Sequence, residues 1–220
     1  PHIKAPVLFL GSTNDFNSPT EFVVNAMSKL PASTERMLAL APHLNHRFDK
    51  GTDSARFLWM IAHLKGGFRF PKSSPSGLEL KTEDHVPLFT VTPDRTAGLE
   101  IRSVEIYYSC GRDPRVRFWN SAEVTESGGT YSAPCPVFDV NEPLFAFANI
   151  TYASGLTLPR RPGVAESDIV TVTSEYQIVQ AGELAKAGVV ATRTRERLID
   201  DFSHGMRDWY QLNPATPEPW

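Results

Sequence analysis

The sequence is poor in cysteine, carries little net charge and lacks any long apolar run. Among its 220 residues there are 2 cysteines, and the formal net charge is −3 at pH 7. No apolar stretch approaches the roughly 18–20 residues needed to cross a bilayer, so no membrane span is predicted. The small net charge gives no reason to expect nucleic acid or an anionic membrane surface as a partner. With 41% hydrophobic and 21% charged residues, the composition is that of an ordinary globular protein.

The two cysteines leave the cellular compartment open. Cys110 and Cys135 lie 25 residues apart in a segment that is predicted to be β-structured. They are compatible with one disulfide in an exported protein. They are equally compatible with two buried thiols that act as small apolar residues.

Several catalytic and cofactor motifs are also missing. The sequence contains no G-x-S-x-G, the motif that presents the nucleophile in many serine hydrolases. It contains no Gly-rich phosphate loop either. His43 and His46 form an H-x-x-H pair on a predicted loop, but no third ligand has a recognisable spacing. We therefore predict neither a metal nor another cofactor.

Residues 1–70 alternate predicted strands with predicted helices. Residues 7–10 and 37–41 are short continuous apolar runs, as expected for strands buried on both faces of a parallel sheet. Ser18 is the predicted N-cap of the intervening helix, and Thr52 or Asp53 that of the helix after the second strand. The order is that of the closing half of a doubly wound α/β sheet. Because two strands cannot form such a sheet alone, we expect its other strands to precede this sequence.

Residues 71–176 favour an all-β domain. Pro, Gly and Ser punctuate short runs with period-two alternation, which is typical of an antiparallel, immunoglobulin-like sandwich. The predicted strands of this domain comprise residues 88–92, 103–109, 116–119, 129–132, 144–152 and 169–175. Residues 177–198, which follow it, are predicted to be a linker.

An acid and a histidine pair follow the two predicted strands of the first segment. Asp15 follows the first strand, and His43 and His46 follow the second. The loops after successive strands are where a hydrolytic triad would place its orienting acid and its general base. The alternative is an ordinary turn aspartate and a surface histidine. Asp49 is a poorer candidate acid because it lies too close to His46 along the chain.

Four residues flank the acid and the histidine. We predict that they line the mouth of a substrate pocket, although flanking polar loop residues are commonly only solvated. These residues are Asn14, Phe16, Asn45 and Arg47.

The residues 11–16, GSTNDF, and 42–46, PHLNH, resemble the α/β-hydrolase fold. They are similar in particular to acetylxylan-esterase and dienelactone-hydrolase-like enzymes, including the PhoPQ-activated pathogenicity-related family. The resemblance implies a serine ester hydrolase that deacylates polysaccharides, with Asp15 as the triad acid and the nucleophile upstream of this sequence. His46 is preferred to His43 because its offset from Pro42 matches the family's loop. The resemblance also implies an extracellular or periplasmic location.

The last part of the sequence, residues 199–220, looks like the opening of a carbohydrate-binding jelly roll. It begins with the apolar and acidic run IDDF, and a glycine and a tryptophan follow. Together, the two resemblances imply a window of a multidomain esterase in which the sandwich is a spacer. On that interpretation, the chain alone is expected to be inactive.

Two other functions remain open at this stage. One is a non-catalytic accessory protein that binds carbohydrate or protein, and the other is a serine peptidase of the same fold. Tyr107, Trp119 and Tyr131 are either a sugar-stacking face or, more commonly for strand aromatics, core residues. The residues 149–151 fit the glycosylation sequon but lie in a predicted strand. The oligomeric state is not indicated by the sequence.

Overall fold

The computed structural model describes residues 3–15, 17–114, 117–159 and 166–192. Within these ranges the protein is a strand-rich mixture of α and β structure. The helices are α1 (Thr20–Ser28), α2 (Lys50–Met60) and α3 (Glu183–Ala187), and a π-helical turn, Ile61–Lys65, extends α2. The strands are β1 (Val7–Ser12), β2 (Arg36–Ala41), β3 (Ser76–Glu79), β4 (Leu88–Val91), β5 (Ile101–Cys110), β6 (Asn120–Ser121), β7 (Thr125–Ser127), β8 (Thr130–Pro134), β9 (Leu144–Leu158), β10 (Ser167–Thr173) and β11 (Gln177–Val179).

The described strands form two sheets that enclose the main hydrophobic core. The larger sheet has the order β1-β2-β10-β9-β5-β6, with β11 also paired to β9. The smaller sheet has the order β3-β4-β8-β7. Phe89 of β4 and Ala133 of β8 are buried in one cluster with Ile106 and Ile150 of the larger sheet. The smaller sheet therefore covers one face of the larger one.

The first segment forms a β-α-β-α unit at one end of the larger sheet. Strands β1 and β2 are parallel, with Val7 opposite Arg36 and Ser12 opposite Ala41. Met37 and Ala39 share a core with α2, whereas Leu38 and Leu40 share the other core with α1. The two helices thus cover opposite faces, which explains why β2 is apolar at successive positions.

Strand β2 is joined on its other side to the second segment of the chain. It pairs with β10 in antiparallel orientation, with Thr173 opposite Leu38. Three buried hydrogen bonds reinforce the junction: Leu40 N–H donates to Thr173 Oγ1 at 2.9 Å, Thr173 Oγ1 donates to Asn149 Oδ1 at 2.7 Å, and Asn149 Nδ2 donates to the Leu40 carbonyl at 2.9 Å. The neighbour of β2 therefore comes from the part of this same chain that follows residue 70, which we call the β-rich segment. In the described residues, β1 lies at the end of the sheet.

Several local predictions need correction. Helix α1 begins at Thr20 after Pro19, and Ser18 is not its cap. Asp49 caps α2, where its carboxylate accepts from Thr52 N–H at 2.8 Å, so neither Thr52 nor Asp53 is the cap. The predicted strand over residues 116–119 is replaced by β6 a few residues later, and residue 116 lies outside the described ranges.

The stretch predicted to be a linker contains regular structure. Strand β11 pairs with β9, and Leu184 of α3 is buried in the main core. Residues 193–220, which include the predicted start of a jelly roll, lie outside the described residues.

Several side chains with alternative predicted roles are internal. Cys110 and Cys135 are buried free thiols. Tyr107 and Trp119 are buried core residues, so they cannot offer a face for sugar stacking. Asn149, in the glycosylation sequon, is buried at the β2–β10 junction. Within the described part of the chain, none of the helices has both the length and the apolar character needed to cross a membrane.

Candidate active site

The loop that carries Asp15, which we call the acid loop, follows β1 and is hydrogen-bonded to the end of β2 and to the loop after it. Thr13 N–H donates to the Ala41 carbonyl at 3.0 Å, and Asn14 N–H donates to the Leu44 carbonyl at 3.1 Å. Asp15 N–H closes a turn on the Ser12 carbonyl at 3.2 Å. Because β1 and β2 are parallel, their carboxyl ends meet, and the loops after them lie side by side.

The structure brings Asp15 and His46 into direct contact. His46 Nδ1 lies 2.8 Å from Asp15 Oδ2. The other oxygen, Oδ1, accepts from the amides of Asn17 at 2.9 Å and Ser18 at 3.3 Å. Both carboxylate oxygens therefore have donors, and the acid is held in one orientation.

The pairing determines which histidine nitrogen is available as a base. An ionised carboxylate can only accept hydrogen bonds, so in a neutral His46 the proton must be on Nδ1. Nε2 then carries the free lone pair. The side chain of His46 is 74% exposed, whereas that of Asp15 is only 7% exposed. A buried acid thus orients an accessible base.

The surroundings of Asp15 favour its ionised form. Burial raises the pKa of the carboxyl group, but the hydrogen bonds from His46, Asn17 and Ser18 lower it by more. The pKa of Asp15 therefore lies below its ordinary value of 3.8. The acid remains charged at neutral pH, as an orienting carboxylate must.

The loop after β2 that carries His43 and His46, which we call the histidine loop, turns sharply at both residues. His43 has φ 60° and His46 has φ 54°, in the left-handed region that is uncommon for residues other than glycine. The His43 amide donates to Thr13 Oγ1 at 2.8 Å, which ties this loop to the acid loop. Such backbone strain persists where the surroundings enforce it, and it is frequent at functional sites.

His43 packs against the β-rich segment. Its ring makes an edge contact with Tyr107, with centroids 5.6 Å apart, and a tilted contact with Phe118 at 6.3 Å. Burial lowers the pKa of His43, and the nearby Glu105 partly opposes this. These surroundings disfavour the charged form of His43, whose ring packs on Tyr107 and Phe118.

The four residues predicted to line a substrate pocket lie in different environments. Both ends of the Asn14 amide are engaged, since Nδ2 donates to the Arg117 carbonyl at 3.0 Å and Oδ1 accepts from Thr13 Oγ1 at 2.9 Å. Asn45 and Arg47 are exposed on either side of His46. Phe16 lies outside the described residues.

The β-rich segment packs against the acid loop, and the sequence did not predict this contact. The Trp119 indole donates to the Thr13 carbonyl at 3.3 Å, and the Arg117 carbonyl holds Asn14. The Arg117 side chain forms an ion pair with Glu21 of α1. More than one hundred residues separate Arg117 from Asn14, and no motif in the sequence indicates that they meet.

Among the described residues, no group of three or more His, Cys, Asp or Glu side chains is arranged to hold a metal ion. The contact between Asp15 and His46 Nδ1, which leaves Nε2 free, is the arrangement expected of an orienting acid and a base.

Comparison with known proteins gives no further guide to this site. No protein-family model matches the chain, and no curated protein matches it.

Proposed function

We propose that this chain contributes the orienting acid and the general base of a serine ester hydrolase. The observation that carries the proposal is the 2.8 Å contact between His46 Nδ1 and the buried Asp15 carboxylate, with the imidazole open to solvent. In this role, Nε2 of His46 takes the proton of the serine hydroxyl as its oxygen attacks the ester carbonyl. It then donates that proton to the departing alcohol, and Asp15 stabilises the imidazolium between the two steps.

The proposal places the nucleophile on a segment upstream of this chain. The parallel strands β1 and β2, with a helix on each face, support assignment to the closing half of an α/β-hydrolase sheet. In the described residues, β1 is an edge strand of partly buried apolar residues, which suits pairing with a further strand. We also propose that residues 71–176 form an immunoglobulin-like sandwich beside this half. The proposed substrates are acyl groups of polysaccharides outside the cell or in the periplasm.

The proposal is tested by labelling an activated serine. The protein is isolated from its natural source, or produced with its upstream coding sequence, and treated with a fluorophosphonate probe. We expect a labelled serine outside residues 1–220, with hydrolysis of acetyl esters such as acetylated xylan. His46→Ala should reduce turnover by about 10⁴-fold or more, since the general base of a triad is removed.

A matched variant and two substrates separate the alternatives. Arg102→Ala changes a half-exposed arginine outside the site and should retain labelling. Labelling with cleavage of peptides but not of acetyl esters would identify a peptidase. Absence of labelling in the complete protein would contradict the proposal and favour a non-catalytic accessory protein.

A further inference from the structure

Arg117 is a buried cation with several polar partners. Its side chain is 1% exposed and forms an ion pair with Glu21 in the first turn of α1. Nε donates to the Gly111 carbonyl at 3.0 Å, and an Nη donates to the Arg112 carbonyl at 3.2 Å. The guanidinium also lies 3.8 Å from the centre of the Phe145 ring. Its contacts therefore join Gly111, Arg112 and the residues just before β6 to both α1 and the sheet.

The main chain around Arg117 holds the residues that precede Asp15. The Arg117 carbonyl accepts from Asn14 Nδ2 at 3.0 Å, and the Trp119 indole donates to the Thr13 carbonyl at 3.3 Å. Thr13 Oγ1 in turn accepts from the His43 amide. Both the acid loop and the histidine loop are thus connected to the segment that Arg117 fixes.

The ion pair with Glu21 holds the residues that follow Asp15. Glu21 lies three residues after Ser18, whose amide donates to Asp15 Oδ1 at 3.3 Å. Movement of the first turn of α1 would move this donor. Arg117 therefore restrains the acid loop from both ends.

From these contacts we infer that Arg117 is a positioning residue for the Asp15–His46 pair. The inference rests on the proposed function, and it means that the β-rich segment is part of the active site and not a spacer. Lysine cannot replace this arginine, because an ammonium group lacks the planar fork that bonds in several directions and stacks on a ring.

The test measures the tautomer of neutral His46 in the full 220-residue chain. Long-range ¹H–¹⁵N correlation spectra of the imidazole ring distinguish Nδ1–H from Nε2–H. The variants are Arg117→Met and the double variant Glu21→Gln, Arg117→Met, which removes both charges and so leaves no unpaired buried ion. Arg102→Met is the matched control, since Arg102 is half exposed and its partner Glu100 is also exposed.

We expect both Arg117 variants to lower the ratio of Nδ1–H to Nε2–H by about tenfold while folded, which is the effect of weakening one charge-assisted hydrogen bond. Arg102→Met should keep the ratio of the unsubstituted chain. Loss of stability alone would not change the ratio below the melting temperature, so the tautomer reports positioning. If Arg117→Met fails to fold, the double variant decides the question.

Two further results have distinct meanings. An unchanged ratio in either folded Arg117 variant would overturn the role of Arg117 and leave the proposed function standing. A predominant Nε2–H form in the unsubstituted chain would instead contradict the Asp15–His46 pair itself.

Discussion

At the scale of single residues, the site depends on a separate donor for each oxygen of Asp15. His46 occupies Oδ2, and two backbone amides occupy Oδ1. The amides orient the acid, so that the acid can orient the histidine. This arrangement stabilises the charged carboxylate and therefore links the site to the pH dependence of folding.

Asp15→Asn should destabilise the chain in a pH-dependent manner. The pKa of Asp15 is lower in the folded protein than its ordinary value of 3.8. Its contribution is therefore present above about pH 4 and is lost as the pH falls through the folded-state pKa. We expect a loss of about 1–2 kcal/mol in the free energy of unfolding near pH 7, because bonds to a charged group are lost.

Chemical denaturation of both proteins between about pH 3 and pH 7 measures this difference. Asp168→Asn is the control, because Asp168 is exposed and pairs only at 3.7 Å with Lys50. A difference for Asp15→Asn that stays constant as the pH falls would contradict the assignment.

At the scale of elements, the junction between β2 and β10 joins the two segments. The antiparallel pairing there is supported by the side chains of Asn149 and Thr173, which bond to each other and to the main chain of Leu40. All three residues are buried, so each lost bond leaves a polar group without water.

Asn149→Leu should therefore cost about 2–4 kcal/mol of stability, since it leaves the Leu40 carbonyl without a donor and the Thr173 hydroxyl proton without an acceptor at similar side-chain volume. The change is measured by urea denaturation. Asn25→Leu, on the exposed surface of α1, is the matched substitution and should change stability by less than about 0.5 kcal/mol. Equal effects of the two substitutions would show that the buried network does not stabilise the junction.

At the scale of the whole molecule, one core runs through both segments. Leu58 and Trp59 of α2 are buried in the same cluster as Val170 and Val172 of β10. Helix α2 also approaches β10 closely at Gly51, where a Cβ would lie 2.0 Å from Thr171 Oγ1 and 2.9 Å from Thr171 Cβ. A domain boundary after residue 70 remains a prediction from the sequence, whereas the sheet and the core are continuous across it.

Gly51→Ala should destabilise the chain although alanine favours helix formation. The added methyl group would force α2 away from β10, and overpacking of this kind costs about 1–3 kcal/mol. Gly77→Ala is the comparison, because its Cβ would meet Thr90 Oγ1 at 3.3 Å, a contact that a small shift relieves. Thermal unfolding followed by circular dichroism is the measurement. Equal stability of Gly51→Ala and the unsubstituted chain would contradict this packing.

The sequence predicted the parts of this arrangement that are local. Two apolar runs that end in an acid and a histidine were sufficient to predict that Asp15 and His46 lie on neighbouring loops, because parallel strands align their ends. The contributions of Arg117, Trp119 and Asn149 could not be predicted. Each acts across more than one hundred residues of sequence, and periodicity carries no information about which distant segment completes a sheet.

The orientation of His46 by Asp15 is the central claim, and the tautomer of the unsubstituted chain tests it most directly. We predict that neutral His46 is predominantly the Nδ1–H form in long-range ¹H–¹⁵N spectra, and that Asp15→Asn removes this preference. An Nε2–H form in the unsubstituted chain, or a preference that survives Asp15→Asn, would contradict the account.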